Sequence, residues 1–257
     1  MGALFSFQET RWTARTLLRR RSSSAVTVTS LALGIGAIVA VFSLVYAILL
    51  RPLPYANPER LVLMRELRPG PSGSAQRVSP GTFLDWAEHG GSFDAMAAWR
   101  TGFLTLQTER DSEDVDAAAV TGAFFRTLGV TPALGRAFDD EDVRRGEPVV
   151  VVSDGFWQRR LGADRAIVGT SLRLEGVSRR IVGVMRRDFA MPSERTELWT
   201  PLNLELLRTM RDQRFLGVVA RIRETTSLAE ARSQSDVVET LRVRPSVSRS
   251  ASPSLPA

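Results

Sequence analysis

From Ala25 to Leu50 the sequence AVTVTSLALGIGAIVAVFSLVYAILL runs 26 residues without a charge. As a helix rising about 1.5 Å per residue it spans roughly 39 Å, enough to cross a hydrocarbon core of about 30 Å with tilt. The pattern predicts an uncleaved transmembrane anchor. A signal peptide carries an apolar core of only about 7–15 residues before a small-residue cleavage site. Here the run is longer and ends in Arg51-Pro52-Leu53-Pro54.

After the apolar run the pattern shortens and alternates. Leu61–Arg65, Phe103–Thr108, Val115–Val120 and Phe215–Arg223 read as strands, the second and third separated by a polar turn at Glu109–Asp114. Val149–Val152 is an unbroken apolar run that predicts a strand buried on both faces. Thr170–Glu175 and Arg179–Met185 flank Gly176 as a hairpin. Thr82–Glu88 and Phe93–Trp99 read as short amphipathic helices, Ala123–Leu128 as a helix capped by Gly129, and Asp154–Leu161 as a helix opened by Asp154 and ended by Gly162. Ser227 and Glu230 have capping-box spacing and predict a helix to about Leu241. Strands and helices in mixed order, with hairpins, predict an α+β domain rather than a doubly wound parallel sheet. Four segments follow: 1–24 before the span, the span at 25–50, the α+β domain at 51–241, and a Ser/Pro/Arg-rich tail at 242–257 too poor in apolar residues to pack.

Charge sharpens this division. The net charge of +6 sits at the ends: residues 1–24 hold five Arg and one Glu, a net +4, and 242–257 hold three Arg, a net +3. The rest therefore carries about −1, which argues against a nucleic-acid surface on the large domain. Arg11, Arg15, Arg19, Arg20 and Arg21 outweigh Arg51, Arg60 and Arg65, which predicts a cytoplasmic N-terminus and a large domain outside. Within the span, Ala32, Gly36 and Ala40 recur every four residues. That spacing lets helix backbones approach closely and makes these three the candidate helix-packing residues.

Candidate chemistry is sparse. The chain has no Cys, and His89 is its one histidine. Gly34-Ile35-Gly36-Ala37 imitates a dinucleotide fingerprint but lacks the third glycine and lies inside the apolar span. Asp139-Asp140-Glu141-Asp142 reads as a solvated helix start, since no calcium-loop spacing follows. No Walker A or nucleophile-elbow motif occurs. Neither a cofactor nor a metal is expected. A carboxylate-pair glycosidase, with Asp85 and Glu88 as acids to test, stands as the enzymatic alternative.

Arg51-Pro52-Leu53-Pro54-Tyr55 followed by Pro58-Glu59-Arg60-Leu61-Val62 resembles bacterial ABC transporter permeases of the MacB/FtsX type, in particular the large duplicated orphan permeases. Phe83-Leu84-Asp85-Trp86, Phe124–Val130 with Pro132–Arg136, Val149–Ser153 with Gly155-Phe156-Trp157, Ile181–Met185 and Glu197–Leu202 agree in order, so the resemblance covers about residues 12 to 241. It implies a first transmembrane helix in the bacterial inner membrane, a periplasmic core domain, a cytoplasmic ABC ATPase partner and a dimeric permease. Such a permease transmits ATPase-driven motion for efflux or envelope transport and is not itself an enzyme. The resemblance also implies three further membrane helices after the domain. The sequence to 257 lacks them, and its tail reads as a prematurely ended frame. A membrane-anchored periplasmic adaptor working without an ATPase is the alternative.

Overall fold

The computed structural model describes residues 21–45, 55–67, 75–108, 111–203, 208–233 and 238–240. The chain divides into two compact units, Met1–Pro52 with Val243–Ala257, and Leu53–Arg242. The proposed tail and the segment before Arg21 lie outside the described residues.

In the first unit the described element is helix α1, Arg21–Val45. Its described side chains, those of 29–43, are all exposed. Leu31, Leu33, Ile35, Ile38, Val39, Val41 and Phe42 are each more than half open. Those fifteen residues rise only about 22 Å, and among the described residues no helix is long and apolar enough to cross a membrane.

The second unit is mixed α/β. Its strands are β1 Leu61–Met64, β2 Glu66–Leu67, β3 Ala75–Gln76, β4 Phe93–Gln107, β5 Ser112–Val120, β6 Leu134–Gly135, β7 Val149–Val152, β8 Ser171–Leu174, β9 Val177–Val184, β10 Leu198–Pro201, β11 Gly217–Ile222 and β12 Val238–Thr240. Its helices are α2 Pro80–His89, α3 Phe124–Leu128, α4 Asp140–Arg144, α5 Asp154–Arg160 and α6 Leu228–Ser233. Ten strands form one sheet ordered β12-β1-β11-β4-β5-β10-β7-β9-β6, and β8 pairs with both β4 and β9. That double pairing closes β4-β5-β10-β7-β9-β8 into a six-stranded barrel. Most pairs are antiparallel, whereas β5–β10 and β7–β9 are parallel.

The 15-residue strand β4 joins two halves. Its first part, Phe93–Trp99, pairs with β11, and its far end, Leu106–Gln107, pairs with β8. Because side chains alternate across a strand, the sheet buries two faces. Leu106, Val115, Ala117, Val150, Val152, Leu174, Ile181 and Leu198 gather into one apolar cluster inside the barrel, closed by Phe156 from α5. On the outer face Trp99, Val120, Val151 and Trp199 pack beneath Phe124, Phe125, Leu128 and Phe138. A bulge opposite Val150/Val151 skips Val182 in the pairing, so Ile181 and Val184 face inward while Val182 joins the outer cluster. In the open half, Phe83 of α2 packs with Val62, Met64, Phe93, Val218 and Ile222.

Several expected elements fall where the pattern placed them: β7 is buried along its whole length, β8 and β9 turn at Gly176, and Gly129 caps α3 at φ 66°. Others need correction. Phe93–Trp99 is the start of β4, not a helix. Its Ala and Met favour a helix in isolation, but Ala97 and Trp99 face one core and Ala98 the other, so burial on both faces removed the polar alternation that marks a strand. The helix from Leu228 stops at Ser233, and Val238–Thr240 pairs with β1 instead of continuing it. The turn between β4 and β5 is shorter than expected, because β5 begins at Ser112. Ser153, not Asp154, caps α5, its hydroxyl accepting the Phe156 N–H at 3.0 Å. Helix α2 begins at Pro80, behind the Ser79 cap, rather than at Thr82.

Candidate functional site

The first described residues of the second unit, 55–60, are bound to its sheet by ring contacts and arginine hydrogen bonds. Tyr55 is buried, and its ring meets Phe189 edge-on at 6.3 Å. Phe189 lies 5.2 Å from Trp199 and 6.1 Å from Phe125, so Tyr55 joins the aromatic cluster over the barrel through Phe189. Trp199 is fixed in turn by its indole N–H, which donates to the Met191 carbonyl at 2.8 Å. Burial, then the nearby Asp188 carboxylate, push the Tyr55 phenol well above its ordinary range and keep it protonated.

Two arginines brace the same segment. Pro58–Arg60 forms a 3-10 turn, with Asn57 before it in the left-handed region at φ 46°. Arg60 Nε donates to the Ile222 carbonyl at 2.9 Å, Nη1 to Glu224 at 2.9 Å and Nη2 to Asp94 at 2.5 Å. One side chain thus ties this segment to β11, to Glu224 two residues beyond it, and to β4. Arg221 works from the opposite direction: its Nε donates to the Thr127 carbonyl at 2.9 Å and its Nη1 to the Asn57 carbonyl at 3.4 Å. It braces the C-terminal end of α3, where a cation also meets the negative end of the helix dipole. Burial, then repulsion from Arg60, lower the Arg221 pKa. Its Nη2 is buried with no hydrogen-bond partner among the described residues.

Gly129 completes the junction. A Cβ there would lie 2.6 Å from the Ala56 Cβ and 3.2 Å from Arg221 Nη2. The positive φ and the close approach both require glycine.

A second lock lies at the start of α2. The buried Glu66 accepts the Ser79 N–H at 2.7 Å through Oε1 and the Arg214 Nε at 2.5 Å through Oε2. Burial raises its pKa, but the hydrogen bonds from Thr82, Ser79 and Arg214 outweigh it and hold the carboxyl below its usual range.

Of the residues singled out from the sequence, Ala32, Gly36 and Ala40 lie on α1 at four-residue spacing, all exposed. A Cβ added at Gly36 meets nothing within 4 Å. His89 Nδ1 lies 3.1 Å from the Asp85 carbonyl on the exposed end of α2. Asp85 pairs with Arg211 at 3.3 Å, and both Asp85 and Glu88 face solvent. The acidic run is a helix start with a complete capping box: Asp139 accepts from Glu141 and Asp142, and Asp142 accepts from Asp139. Asp142 is also held by Arg136 through two hydrogen bonds, at 2.5 and 2.8 Å, which depress its pKa. No group of metal-ligating side chains is present among the described residues.

The arginine braces escaped the sequence reading. Arg60 stood inside Pro58-Glu59-Arg60-Leu61-Val62, but its partners lie 34 and 164 positions away. The available signal was the close spacing of Arg221, Arg223 and Glu224 on a predicted strand end, where charges are unusual.

Comparison with known proteins places these features. The family described as MacB-like periplasmic core domain matches residues 24–236. The periplasmic region of MacB from Actinobacillus actinomycetemcomitans is similar in fold, with a TM-score of 0.52 at 14% identity, covering 68% of this chain and 79% of that one. A domain of a putative permease protein from Porphyromonas gingivalis gives a TM-score of 0.50 at 14% identity, covering 72% and 84%. No curated protein sequence matches the chain.

Proposed function

Because the chain belongs to the family of MacB-like periplasmic core domains, we propose that it is the core-domain part of a MacB/FtsX-type ABC transporter permease. In this reading a helix over residues 25–50 lies in the bacterial inner membrane, residues 1–24 are cytoplasmic, and residues 51–241 are periplasmic. A separate cytoplasmic ATPase supplies the motion, and the chain transmits it for efflux or envelope transport without chemistry of its own. Ala32, Gly36 and Ala40 pack against a neighbouring membrane helix, in a dimer or with another span of the permease.

The observation that carries this reading is the fastening of Tyr55–Arg60 to the sheet. A helix that pushes, pulls or turns can move a domain only if the first segment of that domain does not yield. Tyr55 in the aromatic cluster, Arg60 on three acceptors and Arg221 on the Asn57 carbonyl bind that segment to β4, β11 and α3. The exposed apolar surface of α1 supports the membrane placement.

The test is recovery of the tagged full chain from detergent-solubilised bacterial membranes. Copurification of an ABC-type ATPase supports the proposal. Recovery of periplasmic proteins without any ATPase favours the adaptor reading.

A further inference from the structure

The end of the barrel nearest the β4–β5 turn holds a cleft that force transmission leaves unused. It has a volume of about 290 Å³ and opens between α5, the start of β8 and the end of β4. Barrel mouths are recurrent positions for small-molecule sites, and the volume is near the lower end of the range for them, about 300 Å³. Leu106, Phe156, Leu161 and Leu172 line it, with Phe156 fully buried and Leu106 nearly so.

The rim carries both signs of charge. Arg160 and Glu113 neutralise each other in an ion pair at 2.6 Å. Arg173 does not share that arrangement: its Nε donates at 3.2 Å to the neutral Gln107 amide oxygen, and no carboxylate pairs with it among the described residues. Asp111 accepts the Ser112 N–H at 2.8 Å through Oδ1, and no cation pairs with it among the described residues. Among the described residues, one cation and one anion are therefore left beside an apolar floor.

We infer that this cleft binds an apolar α-amino acid as its zwitterion. Arg173 receives the carboxylate, Asp111 receives the ammonium, and the side chain lies on the half-buried Leu161 and Leu172, which are backed by the buried Leu106 and Phe156. A purely anionic amphiphile would meet repulsion from Asp111, and a purely cationic one from Arg173. A dipolar ligand satisfies both. The inference stands on the cleft alone and does not depend on the membrane reading.

The probe is L-phenylalanine, titrated onto the full chain in detergent and followed by ligand-observed NMR. A ligand of this size in so open a site binds with a dissociation constant on the order of millimolar. L-phenylalaninamide lacks the carboxylate and N-acetyl-L-phenylalanine lacks the ammonium, and each is expected to bind at least tenfold more weakly. Arg173→Gln and Asp111→Asn, both at exposed positions, are expected to weaken L-phenylalanine by a similar factor while leaving the melting temperature unchanged. Arg173→Gln should also abolish the difference between L-phenylalanine and its amide, an effect that general loosening of the barrel would not produce. Absence of saturable binding, equal affinity for all three probes, or affinity unaffected by both substitutions would overturn the assignment.

Discussion

Helix α1 and the barrel use the same kinds of side chain in opposite ways. Leu33 and Ile38 on α1 are 76% and 71% exposed, whereas Leu198 and Ile181 in the barrel are fully buried. At about 1.5–3 kcal/mol for each large apolar side chain kept from water, the seven exposed on α1 represent roughly 10–20 kcal/mol of unclaimed burial. That is as large as the whole net stability of a typical domain, about 5–15 kcal/mol. The second unit hides most of its apolar surface within its own sheet and under its own helices, with Phe103, at 66% exposed, the main exception among the described residues. On our reading, α1 requires lipid and neighbouring helices to do the same. The contrast teaches that apolar content alone does not separate the two regions; what separates them is whether the polypeptide supplies its own cover.

The largest expected effect breaks the first side of this contrast. Ile35→Arg with Ile38→Arg places two charges near the middle of the apolar run, at about 2.5–3.5 kcal/mol each. The chain should shift from the membrane pellet to the soluble fraction on detergent-free lysis, with the melting temperature of the second unit unchanged. Trp199→Ala breaks the other side. It empties a fully buried aromatic site and removes the bond to the Met191 carbonyl, at about 3–5 kcal/mol. Urea denaturation followed by circular dichroism should show that loss, while the membrane fraction stays constant.

Gly129→Ala should have an intermediate effect, about 2 kcal/mol or more, because an alanine is strained at φ 66° and its methyl meets Ala56. The same denaturation experiment measures it.

The smallest effect concerns acid. Asp142 and Glu66 both have folded-state pKa values below their unfolded ones. Their contribution is therefore fully present above the ordinary carboxylate range near pH 4 and is lost as the pH falls through the depressed folded values. The melting temperature of the wild-type chain should drop as pH falls below about 4. Asp142→Asn should show a shallower acid limb, since the group that titrates is gone, at the expense of a lower plateau near neutral pH.

What could be seen in the sequence was what is local. Four consecutive valines announce a doubly buried strand, Gly176 announces a turn, and Gly129 announces a helix end. Phe93–Trp99 misled because Ala95, Ala97 and Ala98 carry little pattern, and only the pairing with β11 makes them a strand. Barrel closure rests on two pairs, Leu106 with Leu174 and Gln107 with Arg173, each separated by more than sixty residues, and no window of sequence contains both partners. The candidate residues of the two units were visible to different degrees. Ala32, Gly36 and Ala40 stood out by spacing, and the leading segment stood out through its family resemblance. The physical role of Arg60 and Arg221 depends on acceptors brought together by the sheet, many of them carbonyls that every residue carries and no sequence pattern marks.

The central claim is our proposal that residues 25–50 lie in a membrane with their two flanks, 1–24 and 51–241, on opposite sides. Because the chain has no cysteine of its own, single cysteines report location without background. Ser22→Cys and Ser178→Cys, each in the full chain in spheroplasts, are treated with a membrane-impermeant thiol reagent. Labelling at 178 from outside, and at 22 only after the membrane is opened, is the predicted result; equal labelling of both, or protection of both until lysis, would contradict it.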